Sequence, residues 1–343
     1  MNSKSLYSQS GVDISLADKA KAKMRQLVEQ TFDRSVIGSF GGFGGLYSLK
    51  ELTGRDLVLV GSADGVGTKL KLAFASGRHA TIGQDLVNHL VNDILCCGAR
   101  PLFLFDYLGL GKINQDVVLD IIRGLSLACR ENGVALLGGE TAQMPGFYAE
   151  GEYDIAGFIV GYVEKDKIID GGKIKPGDKI IGLASNGLHT NGYSLARKAF
   201  FDIAKMNRGE IIPETSTEVY RELLRVHCSY LHAVRPLLDA GLVKGIAHIT
   251  GGGFKGNISR ILPAGVTAVI KTDSWPAPGL FKAIQRIADV PKDEMYQVFN
   301  MGIGLVLMCD EKDADEMKSM LGSVQHFEIG FCQAGQREVK LIF

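Results

Sequence analysis

The sequence carries no surplus of either charge: 38 Lys and Arg stand against 38 Asp and Glu in 343 residues. That balance gives no support to whole-chain attraction to nucleic acid or to an anionic membrane surface. None of the six cysteines forms a Cys-x-x-Cys pair, and the adjacent Cys96 and Cys97 are badly placed to chelate one ion together. No His or acid is placed beside a cysteine to activate it, so reduced thiols of a cytoplasmic protein are the simplest expectation. No apolar run reaches membrane-spanning length, and the polar start MNSKSLYSQSG does not read as a secretory leader. A Walker A loop is missing as well. What is present is an ordinary globular composition, 46% hydrophobic with 43 glycines, in a chain long enough that two domains are expected.

The first half reads as strand, helix, strand, helix, strand, strand. An amphipathic stretch over 18–30 comes before it, and the run LVLV (57–60) leads into GSADGVGTKLKLAF (61–74). Helical spacing follows over 84–97, a strand over 101–108, a second helix over 115–132, and strands over 134–139 and 153–163. The segment KDKIIDGGKIKPGD (165–178) is rich in Gly, Pro and charge and reads as a linker, which places the domains at 1–168 and 169–343. The second half restarts with KIIGLAS (179–185), then a helix from Ser194 and another over about 219–240. Strand patterns at 265–271 and 301–310 and a helix around 280–288 complete it. Both halves are α/β in character.

The loop after the first strand has phosphate chemistry in an unfamiliar order. Gly61 lies six residues before Gly67, and Thr68 precedes Lys69, so neither a P-loop nor a Gly-x-Gly-x-x-Gly fingerprint fits. Its glycines let backbone N–H groups approach an anion, Lys69 brings charge, and the following helix would add its dipole. Asp64 would repel a bare phosphate, so its presence suggests a hard cation between them. A plain turn with an exposed lysine and a capping aspartate explains this loop alone equally well. Two further acids tip the balance. Asp93 interrupts an apolar helix beside Asn92, where an unpaired carboxylate is costly to bury. Glu140 ends the strand VALLGG, a usual place for ligand-binding groups in α/β folds. Together the three acids form a candidate Mg²⁺ set. SFGGFGGLYS (39–48) suggests a lid over the site. SNGLHTNGYS (185–194) offers His189 and Asn191 for a polar ligand, and ITGGGFKGNISR (249–260) is a Gly-rich helix entry, an anion seat or a simple turn.

Seven segments in one order carry a resemblance: YSQSGVDI, GGFGGLY, SADGVGTKLKLA, VNDILCCGARPLFLFDYL, GGETAQMPGFY, GLHTNGYSLAR and ITGGGFKGNISRILP. From Tyr7 onward the chain closely resembles the phosphoribosylformylglycinamidine cyclo-ligases, or AIR synthetases, within a larger ATP-binding superfamily. The resemblance implies two mixed-sheet α/β domains, with N-terminal sheets pairing across a homodimer. It implies an ATP- and Mg²⁺-dependent ring closure that converts formylglycinamidine ribonucleotide to aminoimidazole ribonucleotide. On this likeness Asp64, Asp93 and Glu140 would hold Mg²⁺–ATP. Gly65, Gly67, Thr68 and Lys69 would meet phosphates, with Asp64 and Lys69 central to catalysis. Gly41, Gly42, Phe43, Gly44 and Gly45 would form the mobile nucleotide loop. Glu140, His189 and Asn191 would face the substrate, His189 also serving proton transfer by residue type. The stretch GFKGNISR departs from the family's usual Gly-Leu-x-Glu-Asn wording at Lys255-Gly256. The alternatives are another phosphotransferase of the same superfamily and a non-catalytic nucleotide-binding regulator; no cysteine precedes Cys96 to suggest the selenophosphate branch.

Overall fold

The computed structural model describes residues 23–40 and 45–343; Gly41 to Gly44 of the expected lid lie outside them. The chain divides into two units after Lys165, apart from Leu95–Ala99, which groups with the second.

The first unit is built on four strands: β1 (Leu57–Gly65), β2 (Arg100–Leu110), β3 (Ala135–Gln143) and β4 (Tyr153–Glu164). Their spatial order is β1-β4-β2-β3, with β2 and β3 parallel and the other pairs antiparallel. β4 alternates strictly. Tyr153, Ile155, Gly157, Ile159, Gly161 and Val163 are buried, whereas Phe158 on the other face is exposed. This is the pattern of a sheet covered on one side.

The cover comes from α2 (Ala80–Leu95), which follows the short α1 (Leu70–Ser76), and from α3 (Gln115–Asn132). A Cβ on Gly157 would strike Leu86 and Leu90 of α2, so the helix lies close on the sheet there. The two long helices cross glycine to glycine. A Cβ on Gly83 would come within 2.3 Å of the Ile121 carbonyl, and one on Gly124 would overlap the Ala80 carbonyl. α3 starts where the sequence reading put it because Asn114 caps it, accepting from the N–H groups of Asp116 and Val117. It stops at Gly133, whose φ of 64° ends the helix in the left-handed region.

The second unit has a six-stranded sheet: β5 (Lys179–Ala184), β6 (Gly245–His248), β7 (Val266–Lys271), β8 (Ile303–Cys309), β9 (His326–Ala334) and β10 (Glu338–Ile342). The order is β6-β8-β5-β9-β7-β10, antiparallel except for β7 with β10. β8 is buried at every residue, as its unbroken apolar run requires. Around the sheet lie α4 (Gly253–Ile261), α5 (Gly279–Ala288) and α6 (Lys292–Val298), among others.

One expectation fails here. The stretch 219–240 is two helices, Val219–Leu223 and Leu231–Asp239, with a non-helical segment between. The break is made by tertiary bonds: the Val226 carbonyl accepts from Asn186, the Tyr230 hydroxyl donates to the Ala184 carbonyl, and His227 reaches His248. Helical periodicity alone does not register such competition.

Candidate active site

In the first unit β1 delivers Asp64 and Gly65 to the sheet end, and the chain then tightens into a 3₁₀ turn, Gly67–Lys69, that leads straight into α1. Gly67 has a φ of 60°, a backbone conformation that favours glycine. Asp64 accepts a 2.7 Å bond from the Gly65 N–H on one oxygen. Its other oxygen lies 2.8 Å from His89 Nε2. The same His89 nitrogen is 3.6 Å from Asp93, which also accepts from the Ser62 hydroxyl at 3.2 Å. His89 and Asp93 stand four residues apart on α2 and so share a helix face. Asp64, His89 and Asp93 thus place ligand atoms within 4.8 Å of one another. Burial opposes a charge on the His89 imidazole, but the hydrogen bond to Asp64 and the charges of Asp93, Asp64 and Asp85 outweigh it and raise its pKa.

Lys69 does not reach the surface of this loop. Its ammonium and the Asp85 carboxylate form a 2.8 Å ion pair in which both side chains are fully buried. Burial pulls the Lys69 pKa down and the Asp85 charge opposes the pull. Gly67 and Thr68, by contrast, are exposed.

Glu140 requires a correction. It was expected to converge with Asp64 and Asp93, but the register puts it elsewhere. Asp64 pairs across β4 with Gly157, Gly157 with Asp106 on β2, and Asp106 with Gly139 on β3. Glu140 is therefore one residue out of that row and projects from the opposite face, about 14 Å away at three strand spacings. It cannot share one ion with Asp64. The acid in the row is Asp106, buried on the helix side with Leu104 and Leu108. Burial pushes its carboxyl up to about 7, its own backbone N–H opposing and the Glu140 charge adding to the rise.

In the second unit the two Gly-rich segments meet. Asn191 Oδ1 lies where a Cβ on Gly251 would touch it at 3.3 Å. Gly192, Gly251 and Gly252 line a cavity of about 590 Å³ together with Asp293, Glu294 and Gln297 of α6. Asn257, one turn into α4, donates to the Thr250, Gly251 and Gly253 carbonyls and fixes the turn. His189 is not among the residues lining that cavity. It is buried, with a φ of 61°, and its ring stacks on His227 at 3.9 Å between centroids. His227 Nε2 lies 3.0 Å from His248 Nε2, so one ring donates and the other accepts. Asn191 stands beside Gly251, whereas His189 is packed against the other imidazoles.

Among these residues sequence reasoning missed Asp85 and Asp106 and gave His89 no role. The spacing of His89, four residues before Asp93, was a readable signal; nothing local marks Asp85 as the partner of Lys69, sixteen positions earlier.

Each unit carries a recognisable domain. Residues 46–163 match the family model of the AIR synthase related protein, N-terminal domain, and residues 175–341 match that of the C-terminal domain. A phosphoribosylformylglycinamidine cyclo-ligase of Myxococcus xanthus is 48% identical over 338 residues, covering 98% of each chain. That of Trichlorobacter lovleyi is 49% identical over 318 residues, covering 93% of this chain and 91% of the relative. Solved structures share the fold at low identity. Thiamine-monophosphate kinase from Stenotrophomonas maltophilia superposes with a TM-score of 0.68 at 17% identity, covering 95% of each chain. The hydrogenase maturation protein HypE in complex with ATP gives 0.65 at 18%, covering 97% of this chain and 92% of HypE. Two AIR synthase related domains in sequence, with near-half identity along almost the whole chain, show that it belongs to the phosphoribosylformylglycinamidine cyclo-ligase family.

Proposed function

We propose that the chain closes the imidazole ring of purine biosynthesis: formylglycinamidine ribonucleotide and ATP become 5-aminoimidazole ribonucleotide, ADP and phosphate. A formamide carbonyl is a poor electrophile and its oxygen a poor leaving group. Transfer of the γ-phosphoryl group to that oxygen makes an imidate phosphate; the amidine nitrogen attacks the carbon, the C–O bond breaks and phosphate departs. Such chemistry asks a protein for alignment and charge neutralisation more than for a nucleophile of its own.

The observation that carries this reading is the Asp64–His89–Asp93 cluster at the mouth of the Gly-rich loop. Its donor set fits Mg²⁺ through the two carboxylates, which are hard oxygen ligands, with His89 acting through its bond to Asp64. When bound, the ion would neutralise charge on the phosphates. The chain's own part is to hold Asp64 and Asp93 at the strand end, the Gly65 N–H bracing Asp64, and to offer the Gly67 N–H and the Thr68 hydroxyl to an anion. Asn191 and the Gly251–Gly252 rim are assigned to the phosphoribosyl substrate. Glu140, on the other face of the sheet, is kept as a substrate-facing residue apart from the Asp64–Asp93 pair.

The homodimer expected of the family finds support in the uncovered face of the first sheet, where Ala63, Phe158 and Phe105 stand in one row and Leu59 is also exposed. No helix among the described residues is long and apolar enough to cross a membrane, in keeping with the cytoplasmic location proposed for a biosynthetic enzyme.

The deciding experiment supplies formylglycinamidine ribonucleotide, Mg²⁺ and ATP and assays both the aminoimidazole product and phosphate. Equal yields of the two support the proposal. ATP binding without phosphate release would make the chain a nucleotide-binding regulator, and γ-phosphoryl transfer only to another acceptor would place it with the kinases of the same fold.

A further inference from the structure

The 3₁₀ turn after β1 sorts its residues by side. With about three residues per turn, positions i and i+3 lie one above the other. Val66 and Lys69 are such a pair, and both are buried, while Gly67 and Thr68 between them face solvent. A phosphate ligand has to present its cation outward, as the P-loop lysine does. Lys69 turns inward instead and meets Asp85, in the second turn of α2, at 2.8 Å with both side chains fully buried. Four and eight residues further along the same helix stand His89 and Asp93, which face Asp64 across the loop. The ion pair therefore joins the loop to the helix one turn away from the cluster.

We propose that Lys69 is a positioning residue: its buried pair with Asp85 fastens the DGVGT loop to α2 and sets the distance between Asp64 and Asp93, while phosphate charge is met by backbone N–H groups, Thr68 and the cation. This rests on the nucleotide-binding reading above and changes the role of one residue within it. A buried pair tolerates loss of one partner badly, since the other is left as an unpaired charge, but it tolerates joint replacement by groups that still fit each other. A phosphate ligand behaves differently: loss of its positive charge weakens nucleotide binding whatever stands at position 85.

The test compares Lys69→Gln, Asp85→Asn and the double variant Lys69→Gln/Asp85→Asn, in which two amides retain the shape and a hydrogen bond. Mg²⁺–ATP affinity is measured by calorimetry and the unfolding midpoint by thermal melting. Each single variant is expected to lose roughly 10 °C in midpoint and to bind Mg²⁺–ATP at least about tenfold more weakly. The double variant should recover to within about threefold of the parent affinity. Equal loss of affinity in Lys69→Gln and the double variant, with the double variant's midpoint restored, overturns the proposal. Should the variants not fold, the unaltered protein gives the answer through amine acylation with an acetylating reagent, read by peptide mass. Lys69 is expected to stay unmodified with and without Mg²⁺–ATP while exposed lysines react. Modification that Mg²⁺–ATP suppresses would make it a phosphate ligand. These readouts are separate from product formation, so a chain that bound ATP but made no aminoimidazole would refute the proposed reaction and leave the role of Lys69 standing.

Discussion

Two side chains separate the roles within the first unit. His89 bonds Asp64 without being a natural ligand for a hard cation, so it should act on the metal indirectly. His89→Phe is expected to raise the Mg²⁺ concentration needed for half-maximal turnover by about 10–100-fold. Glu140→Gln, on the other face of the sheet, should move that midpoint by less than about threefold whatever it does to kcat. A shift as large as that of His89→Phe would return Glu140 to the cluster. In the second unit Asp310 accepts from Lys175 and Lys244, at 2.8 and 2.9 Å, and these bonds hold its carboxyl down to about 2. Because the folded pKa lies below the unfolded one, this stabilisation is present above the ordinary carboxylate range of about 4 and is lost as pH falls toward 2. Asp310→Asn should therefore flatten the fall of the unfolding midpoint across that window while lowering the midpoint at pH 7. At this scale the sequence made Asp64 and Asp93 legible, because a carboxylate among glycines and another in an apolar helix each need a reason to be there. It did not expose Asp85 or Asp106, since a partner chosen by tertiary packing leaves no mark in its own neighbourhood.

Helices and strands were legible where one local signal dominated. α3 matches its expected bounds because an Asn cap, apolar spacing and a Gly stop agree. The stretch over 219–240 was misjudged because Val226, His227 and Tyr230 obtain better bonds from other strands and loops than a continuous helix offers. The crossing of α2 and α3 yields a prediction that runs against helix propensity. Gly→Ala inside a helix ordinarily stabilises by about 1 kcal/mol. At Gly124 the added methyl would meet the Ala80 carbonyl carbon at 2.9 Å and overlap its oxygen, so the helices must part. Gly124→Ala is expected to cost about 2 kcal/mol or more in denaturant unfolding, with weaker Mg²⁺–ATP binding because α2 carries His89 and Asp93. A neutral or stabilising outcome would mean that the helices have room to separate.

For the whole molecule, two α/β units were foreseen from length and from the charged Gly-Pro stretch at 165–178; β9, β10 and α6 were not anticipated. The uncovered sheet face belongs to this scale. Phe158→Asp should convert a dimer to a monomer in sedimentation, with far-UV dichroism unchanged, since the residue is half exposed in the single chain. A parent protein that sediments as a monomer would dispose of the dimer reading. A last consequence concerns chain length. Asp85, His89 and Asp93 sit at intervals of four along α2, and each step of four residues drifts by only about 40° around the helix. Going along it, the side chains pass from fully buried to 5% and then 26% exposed, so the helix acts as a ruler whose marks run from the core to the site. The residues between the marks are buried, so only substitutions that fit the packing leave it readable. Inserting or deleting one residue between 85 and 93 would turn later marks by about 100° and carry the ion pair and the cluster out of phase. Indel libraries across this segment should be far less forgiving than the same libraries at the turn around Gly54.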